Sequence, residues 1–74
     1  MDTLHPLKQA RHERALSLQD LARRTGLDRR RIIDWEAGRH IPNDLSAHIL
    51  APALGFSSGA HIQDACRDWN REHP

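Results

Sequence analysis

Gly26 is the position that most constrains this chain, because it separates two apolar-periodic stretches by a gap too short for anything but a tight turn. Before it, Leu18, Leu21, Ala22 and Thr25 fall on one stripe at helical spacing. Ser17 precedes that stripe and Asp20 follows three residues later, an acidic variant of the capping box that starts a helix. After it, Asp28 is a suitable N-cap for a helix from Arg29 to Ala37, in which Ile32 and Trp35 share one face and Leu27 feeds the same core. Gly26 can take the left-handed conformation that such a turn demands, and Ala22 is small enough for two helices to cross closely above it. Two short helices joined by about three residues are therefore expected at the centre of the chain.

The flanking segments read as further helices. Pro6 opens a first one, to about Arg14, with Leu7, Ala10, Arg11 and Arg14 along one side. A fourth is capped by Asn43 or Asp44 and draws Leu45, Ile49, Leu50, Ala53 and Leu54 into the core before Gly55. Pro52 lies inside it, and an interior proline costs about 3 kcal/mol, so a kink or an early stop near Leu50 is expected. A fifth runs from Ser58 to about Arg71, with Ile62, Ala65, Cys66 and Trp69 as its apolar stripe. No strand pattern competes, and 74 residues suit a single core. The division expected is a unit over residues 1–57 and a C-terminal helix over residues 58–74.

Charge separates the halves. Residues 1–41 hold nine Lys and Arg against six Asp and Glu, while residues 42–74 hold two against four. The outer face of the third helix is too polar to bury and carries Arg29, Arg30, Ile33, Asp34 and Ala37, so a polyanion is the partner its chemistry suits. The lone cysteine, Cys66, allows no internal disulfide and has no CxxC spacing for a metal or redox pair. The six histidines lack the HExxH spacing, and there is no glycine-rich phosphate loop or nucleophile elbow. An enzyme, a bound metal and a cofactor are all unexpected. With no apolar run near the roughly 20 residues of a membrane span, and no apolar stretch in MDTLHPLK, a soluble cytoplasmic protein is expected.

The stretch LSLQDLARRTGLDRRRIIDWEAGRHIP followed by LAPALGF resembles the Cro and phage-repressor type of helix-turn-helix domain, also called the XRE family, from Leu7 to about Phe56. The resemblance implies an all-α, five-helix domain of the lambda-repressor-like kind that binds a double-stranded DNA operator as a homodimer and regulates transcription, usually as a repressor. Carried over by position, Arg29, Arg30, Ile33 and Asp34 correspond to sites that meet base edges. A guanidinium can bond two acceptors on guanine, an isoleucine can touch a thymine methyl, and Asp34 can either accept from a cytosine amino group or orient Arg30 one turn away. Gln19, Arg23, Arg31 and Arg39 are candidate phosphate contacts. Arg11 and Glu36 stand where the family often keeps a partly buried ion pair. Two positions depart from its pattern: Leu18 replaces a residue that is usually polar, and Ala15 stands where glycine is common.

Phe56, Ile62, Cys66 and Trp69 serve either a two-fold dimer contact or the chain's own core; both readings fit the pattern. The rival to a DNA-binding regulator is a docking or antitoxin-like module of the same fold, in which DNA binding is secondary. Such a module is expected to show apolar or acidic residues where this chain has Arg29, Arg30 and Arg31.

Overall fold

The computed structural model describes residues 4–73; residues 1–3 of the expected N-terminal unit and residue 74 of the expected C-terminal segment lie outside the described residues. Five helices follow one another: α1 (Pro6–Glu13), α2 (Leu18–Thr25), α3 (Arg29–Glu36), α4 (Asp44–Leu54) and α5 (Gly59–Glu72), with no strand among the described residues. This is the all-α, five-helix arrangement expected from the sequence.

Each helix starts on a side chain that accepts one of the backbone N–H groups left without an intrahelical partner. The α2 capping box is complete: Ser17 Oγ accepts from the Asp20 amide at 3.0 Å, and Asp20 Oδ2 accepts from the Ser17 amide at 3.2 Å. The Ser17 amide, and after it the Ser17 side chain, hold the Asp20 carboxyl below its usual range by hydrogen bonding to its charged form. Asp28, Asn43 and Ser58 cap α3, α4 and α5 through the amides of Arg30, Ser46 and His61. The cap of α1 is unusual: His5 Nδ1 accepts from the Leu7 amide at 3.2 Å, ahead of a proline that has no amide to satisfy.

At the other end of α1 the chain closes through a Schellman motif. The Leu16 amide bonds back to the Arg11 carbonyl and the Ala15 amide to the His12 carbonyl. That closure places Ala15 in the left-handed region, with φ +54°, the one non-glycine residue there among those described.

The core is formed by Leu7, Ala10, Leu16, Leu21, Ile32, Trp35, Ala47, Leu50, Ala51, Leu54, Ile62 and Cys66. Every helix contributes, and the most extensive contact is that of α4 with α5. Gly59 makes it possible, since a Cβ there would stand 2.9 Å from the His48 backbone nitrogen. Of the two readings open for Ile62 and Cys66, their full burial within the chain fits the core one and leaves no surface of either to a second copy. Burial also pushes the Cys66 thiol up to about 11, which keeps it protonated and makes it a packing group. Phe56 and Trp69 stay half-buried.

Three expectations about packing need correction. The helix α4 does not stop near Leu50 but continues past Pro52 to Leu54. The proline is exposed in its last turn, while Leu50, Ala51 and Leu54 beside it are buried, and that burial offsets the lost hydrogen bond. Leu45 is 69% exposed: the buried stripe of α4 is Ala47, Leu50, Ala51 and Leu54, and a residue two places before Ala47 lies on the opposite side. Arg14 is exposed too, its guanidinium lying over Gly55.

His5 is almost fully buried, meets the Trp69 ring edge-on at 5.6 Å, and has no partner for Nε2 among the described residues. Trp69 in turn stacks on His73, with ring centroids 3.6 Å apart. Because Nδ1 accepts the Leu7 amide, His5 must carry its proton on Nε2. A second proton would turn the capping acceptor into a donor. Burial pushes its pKa below the ordinary 6.5, and the Glu36 charge only partly opposes this.

Two predictions follow from these backbone ends. Ala15→Gly removes the cost of a left-handed alanine and should stabilise the fold by about 0.5–1 kcal/mol, raising the thermal midpoint by a few degrees in a melting experiment. For His5, the unfolded chain binds the proton more readily than the folded one. Its contribution is therefore complete above about pH 6.5 and is lost as pH falls from there towards the depressed folded value. Urea titrations between pH 7.5 and 5 should show a steeper loss of stability for the wild type than for His5→Asn, which keeps a capping acceptor but does not titrate.

Candidate nucleic-acid interface

The turn between α2 and α3 is held by one hydroxyl. Thr25 Oγ1 donates to the Leu21 carbonyl at 2.8 Å and accepts from the Leu27 amide at 3.2 Å, so it ties the last turn of α2 to the start of the next segment. Gly26 adopts φ +73° and has nothing within 4 Å of where a Cβ would stand. Its backbone angle, not lack of space, requires glycine. Leu21, Ile32 and Trp35 then lock α2 against α3, with Ala22 and Leu27 packed beside them.

The far end of α3 is fixed by a bidentate ion pair. Arg11 Nε meets Glu36 Oε2 at 2.9 Å and Arg11 Nη2 meets Oε1 at 3.0 Å, with both side chains only 8% exposed. The remaining nitrogen, Nη1, donates to the Leu16 carbonyl at 2.9 Å. A single guanidinium thus fastens α1, the segment leading into α2, and the C-terminal turn of α3, and its planar fork suits this task.

Held at both ends, α3 presents Arg29, Arg30, Arg31 and Ile33 to solvent. No carboxylate lies within ion-pair distance of the three arginines among the described residues, whereas Arg39, Arg67 and Arg71 are each paired with an aspartate. The arrangement opposes the helix's own electrostatics. The N-terminal turn already carries partial positive charge, and here it has three cations and no acidic residue. Free positive charge at a helix N-terminus destabilises the empty protein and favours an anionic ligand.

A family model described as a helix-turn-helix domain matches residues 6–62. The chain belongs to the helix-turn-helix family. A protein of Methanothermobacter thermautotrophicus described as an uncharacterized HTH-type transcriptional regulator is 40% identical over 58 residues, covering 78% of this chain and 80% of that relative. No solved structure matches at a significant level.

In this helix-turn-helix domain the sequence-derived candidates fall into separate places. Asp34 does not orient Arg30; its Oδ1 is bonded by Arg39 Nη1 at 3.1 Å, an exposed pair closed by the turn after α3. That turn brings the Arg39 amide back onto the Asp34 carbonyl at 3.0 Å, which places the Arg39 side chain beside the Asp34 carboxylate. Gln19 is exposed on α2. Arg23 is exposed in a groove shared with Arg14, Asp20 and Arg24 that includes no residue of α3.

Two other grooves flank α3. One brings Arg31 and Asp34 beside His40 and Asn43, and the other brings Ile33 and Ala37 beside Lys8 and Leu18. Lys8, His40 and Asn43 escaped the sequence reading as neighbours of α3. Helical periodicity shows which way each points from its own axis, but not which helix stands next to it.

The ion pair yields a direct test. Breaking it from one side leaves a carboxylate with no counter-charge in a nearly closed site, so Arg11→Met should cost about 3–5 kcal/mol in urea unfolding. The double variant Arg11→Met with Glu36→Leu should be more stable than Arg11→Met alone.

Proposed function

We propose that this protein is a sequence-specific regulator of transcription, a repressor, that binds double-stranded DNA by inserting α3 into the major groove. The observation that carries this reading is the exposed first turn of α3, with three arginines lacking any carboxylate partner among the described residues. An α-helix of ordinary diameter fits the major groove, and its N-terminal residues come closest to the base edges. Membership of the helix-turn-helix family and the transcriptional-regulator description of the archaeal relative support the same conclusion.

Within this reading Arg29 and Arg30 read bases, each guanidinium suited to the O6 and N7 acceptors of guanine. Ile33 and Asp34 complete the base-facing set, although Asp34 shares its carboxylate with Arg39. Arg31 and Arg39, with Gln19 and Arg23 on α2, grip phosphates. The operator is bound by a homodimer in the cytoplasm, with the half-buried Phe56 and Trp69 as the residues of the C-terminal region still available for a two-fold contact.

Binding to random duplex DNA at several salt concentrations tests the reading. Affinity should fall with a log–log slope of about −0.9 per phosphate contact, and a flat response would refute it. On a site selected from a random pool, Arg30→Ala should weaken specific binding by about 1–3 kcal/mol while leaving random-sequence binding nearly unchanged. Equal losses on both DNAs would instead assign Arg30 to the backbone.

A further inference from the structure

The groove on the α1 side of α3 is lined by Lys8, Arg11, Leu18, Ile33, Glu36 and Ala37. Arg11 and Glu36 neutralise each other and are nearly closed to solvent. What the groove offers an incoming surface is therefore hydrocarbon from Leu18, Ile33 and Ala37, with the Lys8 ammonium near it. Ile33 is 36% exposed, one of two large apolar side chains at that level among the described residues. It stands one turn beyond Arg29 and Arg30 on the same helix, so whatever covers it also meets unpaired guanidiniums. The occupant must be strongly anionic and must also project a small apolar group. In the major groove of duplex DNA the group that fits is the C5 methyl of thymine.

We infer that Leu18 and Ile33, with Ala37 beside them, form a methyl-reading patch that selects thymine at one position of each half-site. Leu18 thereby becomes a specificity residue contributed by α2, outside the recognition helix itself. The inference rests on the DNA-binding reading proposed above. It assigns successive turns of α3 different work: hydrogen bonding by Arg29 and Arg30 at its start, and apolar contact one turn later.

Deoxyuridine tests this on the unaltered protein, because it differs from thymidine by that methyl alone. Sites are selected from a random duplex pool with the full chain, and each thymine is then replaced singly by uracil. One position per half-site should lose about fourfold in affinity, the effect of burying one methyl group. Ile33→Ala, a surface change to a good helix former, should reduce that loss to under twofold, and Leu18→Gln should do the same.

Selected sites lacking thymine, equal affinity for every uracil-substituted duplex, or a loss undiminished in both variants would overturn the assignment while leaving DNA binding intact. Failure to bind any duplex would overturn the DNA-binding reading, and this assignment with it.

Discussion

Arg11 and Glu36 supply the contact on which the geometry of this molecule turns. The pair joins the first helix to the last turn of α3, and the third nitrogen of the same guanidinium reaches the Leu16 carbonyl just ahead of α2. Apolar packing of Leu21, Ile32 and Trp35 brings α2 and α3 together, but packing of this kind is non-directional and tolerates small rotations. A bidentate contact between two planar groups does not. Burial makes the arrangement demanding, since each charge is acceptable only while the other is present. The angle at which α3 leaves the surface is thus set by a bond some distance from the residues that α3 displays.

Those displayed residues oppose the stability of their own helix. Three arginines in a first turn that favours negative charge, an exposed isoleucine and no acidic residue there make a poor helix in isolation. The Asp28 cap and the buried Ile32 and Trp35 compensate for this. Local rules broken on one face and satisfied on the other are what a binding surface on a rigid frame is expected to show.

Much of the frame was legible in the sequence because it depends on short-range chemistry. The capping box of Ser17 and Asp20, the Gly26 turn and the Asp28 cap each need only a few consecutive residues. Periodicity was enough to place Leu7, Leu21, Ile32 and Ile62 inward. It failed at Leu45, where two apolar residues close together hid which one began the buried stripe, and at Pro52, where tertiary burial outweighed a local penalty. Within the candidate site, the exposure of Arg29, Arg30 and Arg31 followed from the helix pattern. The preference of Asp34 for Arg39 depended on a backbone reversal after α3, and the neighbourhood of Lys8, Leu18 and Ile33 depended on how three helices converge. Neither relation is written in a spacing of three or four residues.

The ring contacts of His5, Trp69 and His73 bear on the order in which the chain can assemble. The α2 and α3 contacts close over a handful of residues, and the Arg11 to Glu36 clasp over 25. The ring contact of His5 with Trp69 spans nearly the whole described chain. Loop-closure entropy rises with span, so this seam is the most expensive to shut and the least rewarded until everything between is in place. The helix-turn-helix pair can therefore form first, and the two ends join over it last. The same spans separate the molecule into a centre whose contacts are mostly short in sequence and a seam, where α1 meets the last turns of α5, that rests on the most distant contact of all.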